Sequence, residues 1–150
     1  MKHSSFSILA AAGLSLFFAA CGNAPSETAG KTDTATSEVQ EARLVAALSY
    51  ADWCGSCKTL DPKVQEARAS GDLGAAFVTL DYTAKDSDAF FAAADAAGIG
   101  DAVRGKYSEA VKTGQLLLID VDDAKIVKVI TKEMSAADIA AAVKAAAAEA

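Results

Sequence analysis

Histidine is almost missing from this chain of 150 residues: the single copy, His3, lies at the very start. Proline is nearly as scarce, with Pro25 and Pro62 the whole supply, so nothing after residue 62 contains one. There is one tryptophan, Trp53, and there are three cysteines, Cys21, Cys54 and Cys57. Each scarcity excludes something. Without histidine in the body of the chain, Ser-His and Cys-His hydrolysis have no imidazole base. A closed zinc site takes four Cys or His ligands, which two neighbouring thiols do not supply, so no metal and no cofactor are expected. Copper delivery lacks its histidine, and Met134 is the one methionine beyond Met1. No apolar run reaches the roughly 20 residues of a membrane-spanning helix. The chain carries 20 Asp+Glu against 14 Lys+Arg with no basic block. That balance offers no footprint for nucleic acid.

What is present begins with Phe6 to Ala20, 15 residues without a charge, preceded by Lys2 and His3. This length fits the apolar core of a secretory signal. The run ends in Phe18-Ala19-Ala20-Cys21, which resembles a bacterial lipoprotein signal, with Phe18 where an aliphatic residue is more usual. The resemblance implies a signal peptide over residues 1–20 and a Cys21 lipidated as the first mature residue. It places the protein on the periplasmic side of a bacterial membrane, anchored without spanning it. Acyl chains contribute about 0.8 kcal/mol per buried methylene to such anchoring. Gly22, where an aspartate would retain a lipoprotein at the inner membrane, favours the outer one. The alternative is an ordinary signal cleaved nearby that leaves Cys21 a free thiol. Loss of Lys2 takes the basic count to 13, a mature net charge of −7.

Small and polar residues dominate from residue 22 to about 40, a composition that cannot offset its ordering entropy. Residues 21–40 therefore read as the lipidated N-terminus and a flexible linker, and 41–150 as one globular domain. Leu44 to Tyr50 is an almost continuous apolar run, the pattern of a strand buried on both faces. Cys57, Leu60, Val64 and Ala67 then recur at helical spacing, with Pro62 inside that helix. A second strand spans 75–82. Two helices are expected at about 86–97, on a stripe including Phe90, and at 101–112, on a stripe of Val103, Tyr107, Ala110 and Val111. Strands at 116–119 and 126–130 flank a hairpin turn at Asp122-Asp123-Ala124. A last helix starts at Ser135 with Asp138 three residues on, a capping-box-like signal. The order predicts an α/β domain, a central mixed β-sheet with helices on both faces.

The chemistry concentrates in Trp53-Cys54-Gly55-Ser56-Cys57-Lys58, at the junction of the first strand and its helix. Cys54 falls at the helix N-terminus, where unpaired N–H groups and the dipole favour a thiolate. Cys57 lies on the buried stripe and Cys54 does not, which predicts an accessible nucleophile and a sheltered resolving thiol. Trp53 and Lys58 beside the pair argue for a redox dithiol over a static structural disulfide.

With that motif so placed, the domain resembles the thioredoxin superfamily. Tyr50-Ala51-Asp52-Trp53-Cys54 further resembles the C-terminal domain of bacterial thiol:disulfide interchange proteins. The resemblance implies a thioredoxin-like fold and a protein-disulfide oxidoreductase, with Cys54 attacking and Cys57 resolving. It implies Trp53 as a flat platform, Gly55 as a tight helix start, Ser56 as the residue tuning redox poise, and Lys58 as a cation favouring thiolate. Partners would be protein thiols and disulfides and an electron donor or acceptor, met by a monomer. Two departures stand out. Thioredoxins bury an aspartate six residues before the first cysteine, and here that position is Leu48, with Asp52 and Asp81 as possible substitutes. The family's cis-proline loop has its nearest counterpart in Thr113-Gly114-Gln115, expected to be trans and to form the substrate loop. The alternative is a thioredoxin-fold binding or scaffold module whose disulfide is not catalytic.

Overall fold

A computed structural model of the protein describes residues 42–150. The expected signal peptide, linker and lipidated Cys21 fall outside them. Four strands form one sheet: β1 (Leu44–Tyr50), β2 (Ala76–Asp81), β3 (Gln115–Asp120) and β4 (Lys125–Ile130). Their order is β2-β1-β3-β4, with β1 parallel to β2 and antiparallel to β3, and β3 antiparallel to β4. The mixed sheet expected from the order of elements is therefore present. It arises because β1 returns to β2 through a helix, whereas β3 turns directly into β4.

Strand β1 is central, and its apolar run is explained by what covers it. Leu44, Ala46 and Leu48 point to one face, into a cluster with Leu60 and Val64 of α1 (Gly55–Ala69) and Ile139 and Val143 of α4 (Ala136–Glu149). Val45 and Ala47 point to the other, against Phe90 of α2 (Ser87–Ala96) and Val103 of α3 (Gly100–Lys106). A strand sandwiched this way reads apolar at every position rather than at every second one. Phe90 anchors its layer through edge-on contacts with Tyr82, Phe91 and Tyr107 at ring separations of 5.7, 5.5 and 5.9 Å. Such pairs contribute about 0.5–1.5 kcal/mol each beyond area burial. Helix α4 starts at the expected cap, where the Ser135 hydroxyl oxygen accepts the Asp138 N–H at 3.2 Å.

One element is shorter than its pattern. A helix over 101–112 was expected, but α3 stops at Lys106. The cause is Tyr107, which leaves helical geometry and turns its side chain inward until only 3% of the residue is exposed. Beyond it Ala110 is exposed and Val111 half-buried, so the apolar stripe ends with Tyr107. The chain over 112–115 is instead tied to β1 by hydrogen bonds to Ser49, which a continuing helix would break.

The C-terminal end of β1 thus emerges between the two helix layers. Open α/β sheets place their sites at this end.

Candidate active site

After Tyr50 the chain makes a tight turn, the Cys54 N–H donating to the Ala51 carbonyl at 3.1 Å. The turn is fastened to the segment following β2. The Asp52 N–H donates to the Thr83 hydroxyl at 3.1 Å, and the Trp53 Nε1–H to the Thr83 carbonyl at 3.0 Å. Trp53 remains 50% exposed, with the Lys85 ammonium 5.2 Å from its ring centre. It is an anchored, outward-facing surface beside the cysteines.

Cys54 is the N-cap of α1, in extended backbone geometry, and its Sγ accepts the Cys57 N–H at 3.2 Å. A thiolate here takes the place of the hydroxyl or carboxylate oxygen of an ordinary cap. Burial alone would push the Cys54 thiol up. Hydrogen bonds from the Cys57 and Thr113 side chains and from the Cys57 and Ser56 N–H groups outweigh it and hold the thiol below its ordinary value. Cys57 is fully buried, its Sγ 3.7 Å from the Ser49 carbonyl oxygen. Burial, reinforced by hydrogen bonding and charge from Cys54, raises its thiol. Both are free thiols. The half-exposed Cys54 and buried Cys57 follow the helix phase.

Gly114 closes the site from across the sheet at φ +80°. A Cβ there would lie 2.7 Å from the Ser56 Cβ and 3.4 Å from Cys54 Sγ. No cis peptide occurs among the described residues, so the Thr113–Gly114–Gln115 loop is trans. The loop sits against the pair because the Gly114 N–H donates to the Ser49 carbonyl at 2.7 Å.

Gly55 is not demanded by a tight start to the helix, since a Cβ there would meet nothing within 4 Å. It leaves open surface beside Cys54 instead. Ser56 reaches Cys54 through its backbone N–H rather than its hydroxyl. Lys58 is exposed, and the groups lowering Cys54 are hydrogen-bond donors, not this cation. Leu48 is 2% exposed within the apolar α1/α4 cluster. Neither Asp52 nor Asp81 takes the place of the missing aspartate, because both are exposed and Asp81 is occupied with the Thr83 N–H at 2.7 Å. Among the described residues no three Cys, His, Asp or Glu side chains gather as a metal site.

Two residues that the sequence pattern marks only as a strand end and a stripe member lie beside the site. Ser49 is fully buried, with its Oγ 2.8 Å from the Lys112 carbonyl and 3.2 Å from that of Gln115. Tyr107 brings its hydroxyl to 3.3 Å from Ser49 Oγ and 3.2 Å from Gln115 Oε1. Burial holds the Tyr107 phenol above its ordinary value despite the Ser49 bond, so it acts as a neutral donor. A signal existed for Ser49: one hydroxyl at the end of a strand buried on both faces needs partners from elsewhere.

The fold is the thioredoxin fold, and its site is a dithiol capping the first helix. A sequence model of the family described as Thioredoxin matches residues 28–93, which takes in β1, the cysteine pair, α1, β2 and part of α2. Among solved structures, Trxlp from Edwardsiella tarda EIB202 is similar at 16% identity, over 75% of this chain and 93% of that one, with a TM-score of 0.44. No curated protein sequence matches the chain.

Proposed function

We propose that the protein is a thiol:disulfide oxidoreductase acting on protein disulfides. The observation that carries this reading is the unlike environment of two thiols one helical turn apart. Cys54 is half-exposed and stabilised as a thiolate, while Cys57 is buried behind it and held as a thiol. The thiolate is the nucleophile in disulfide exchange. Cys54 attacks one sulfur of the partner disulfide, forming a mixed disulfide and releasing the first partner thiolate. Cys57 loses its proton and attacks Cys54 Sγ. The Cys54–Cys57 disulfide forms, the second partner thiolate leaves, and both thiolates take up protons. Two electrons pass from the dithiol to the partner, and an external donor returns them to the pair. The family match over the motif supports the same reading.

We further propose that the domain works outside the cytoplasm, tethered by a lipidated Cys21. The support is the Phe18-Ala19-Ala20-Cys21 signal, and an oxidising compartment is where partner disulfides persist. Insulin reduction with dithiothreitol as donor tests the chemistry: the wild type is expected to accelerate precipitation and Cys54→Ser to lose that effect. No acceleration by the wild type would sink the oxidoreductase reading in favour of a scaffold with an idle pair. Mass spectrometry of the membrane fraction tests the tether, which fails if the mature protein begins anywhere but an acylated Cys21.

A further inference from the structure

We infer that Ser49 and Tyr107 are positioning residues that hold the Thr113–Gly114 loop across the cysteine pair, a role that rests on the reading of Cys54 and Cys57 as a reactive dithiol. Ser49 grips the loop at three points. Its hydroxyl lies within hydrogen-bond reach of the Lys112 and Gln115 carbonyls, and its own carbonyl accepts the Gly114 N–H. The same carbonyl faces the Cys57 thiol at 3.7 Å. One residue of β1 therefore sets both the height of the loop over Cys54 and the seat of Cys57.

Tyr107 completes the device. Its hydroxyl bridges Ser49 Oγ and Gln115 Oε1, 58 and 8 residues away in sequence. Every buried side-chain nitrogen and oxygen among the described residues has a partner, the hydroxyls of Ser49 and Tyr107 included. The centre of this network, Ser49 and Tyr107, is buried, and a hydroxyl that moves there leaves its partner unpaired in a low-dielectric interior, which stiffens the network. Its location gives it purpose. It lies on the face of β1 opposite Leu48, and it ends at Thr113 and Gly114, the loop residues that face Cys54. The loop carries no proline to fix it, and hydrogen bonds to β1 fix it instead.

The test is the pH dependence of Cys54 alkylation by iodoacetamide in the fully reduced protein, a measurement that needs no partner or turnover. Tyr107→Phe removes one oxygen and keeps the ring; Ser49→Ala removes the hub hydroxyl; Ser49→Thr restores a hydroxyl. Val103→Ala, a core truncation on the same side of the sheet, reports what mere destabilisation does. The charged groups nearest in the chain, Asp52, Lys58, Lys85 and Lys112, are all exposed and unaltered in these variants. With the loop released, the Thr113 side chain no longer stays beside Cys54, whose thiol it holds down. The alkylation midpoint then moves up by about half a unit, roughly threefold less thiolate at a given pH, in both Tyr107→Phe and Ser49→Ala. Ser49→Thr and Val103→Ala keep the wild-type midpoint. An unchanged midpoint in folded Tyr107→Phe overturns the inference, as does an equal shift in Val103→Ala. Should Ser49→Ala fail to fold, Tyr107→Phe decides alone. A wild type that turns over insulin while Tyr107→Phe shows no shift defeats only this inference. A wild type with no turnover defeats the proposed activity and leaves the midpoint comparison intact.

Discussion

Gly114 and Ser56 approach each other so closely that a Cβ on the glycine would stand 2.7 Å from that of the serine. The absent side chain is what lets the loop reach the first turn of α1. Gly114→Ala meets two penalties, the φ of +80° and that contact. The left-handed backbone alone costs an L-residue about 1–2 kcal/mol. Urea unfolding should therefore show a loss of at least that size, and an unchanged midpoint would mean the loop moves aside freely. Gly114→Pro, which supplies the residue thioredoxins carry in this loop, should do more harm. Proline cannot adopt that φ and has no N–H for the Ser49 carbonyl.

The two thiols should separate in pH. Cys54 lies below the ordinary thiol value of 9.0 and Cys57 above it. Alkylation should label Cys54 first, with a midpoint under 9.0, and reach Cys57 only at higher pH. Stability of the reduced protein should follow. Cys54 contributes stability that is present above its unfolded value and is lost as pH falls through its lowered folded value. Cys57 contributes stability that is present below its unfolded value and is lost as pH rises through its raised one. Unfolding at a series of pH values should show a gain on approaching 9.0 from below and a loss beyond it. The Cys54→Ser, Cys57→Ser double variant should lack the gain below 9.0 and keep only the loss above 10.0 that the raised Tyr107 phenol contributes.

The frame and the placement of the cysteine pair were legible because their signals are local. The β1 run, the Cys57-Leu60-Val64-Ala67 stripe and the Ser135 cap each depend on residues a few positions apart. What holds the loop over the site was not legible. Ser49 and Tyr107 meet across 58 residues, and Tyr107 fits a helical stripe as well as it fits the buried end of one. Helical period sees apolarity, and it cannot see that a phenol will find a serine. Lys58 is the converse case: the resemblance implies a cation favouring thiolate, while the hydrogen bonds that lower Cys54 come from Cys57, Thr113 and Ser56.

Thr113→Val tests that last point. It removes a hydroxyl that lowers both thiols while nearly keeping the shape of the side chain. One hydrogen bond is typically worth about 0.5–1.5 kcal/mol. Cys54 thiolate at neutral pH should fall by roughly threefold to tenfold, read as the initial rate of alkylation. Lys58→Ala should change that rate much less. The reverse ranking would return the role to the lysine.

Gly55→Ala separates partner access from folding. The site offers an added Cβ open space, and alanine suits a helix better than glycine. Stability should therefore hold within about 0.5 kcal/mol or improve. If the open surface admits a partner's backbone to Cys54, insulin reduction should slow while iodoacetamide alkylation stays unchanged. Equal loss in both assays would show that the methyl disturbs the thiol itself.

Restoring an aspartate at Leu48 should not restore a proton acceptor. Leu48 pairs with Leu116 across the sheet and packs in a cluster with Leu60 and Val64 in which every buried member is apolar. A carboxylate there has no cation to meet, and leaving a buried charge uncompensated costs about 3–5 kcal/mol. Whole domains are stable by only about 5–15 kcal/mol, so Leu48→Asp should be marginal or unfolded at pH 7. Burial raises the folded carboxyl above its unfolded value of about 3.9. The penalty is therefore absent at pH below that value and grows as pH rises towards the folded one. Leu48→Asn, polar but uncharged, should lose stability without that slope. Circular dichroism melts between pH 4 and 7 measure the difference between the two variants. Parallel curves would mean that the carboxylate escapes burial, and a Leu48→Asp protein that alkylates faster at Cys57 would mean that it reaches the resolving thiol after all.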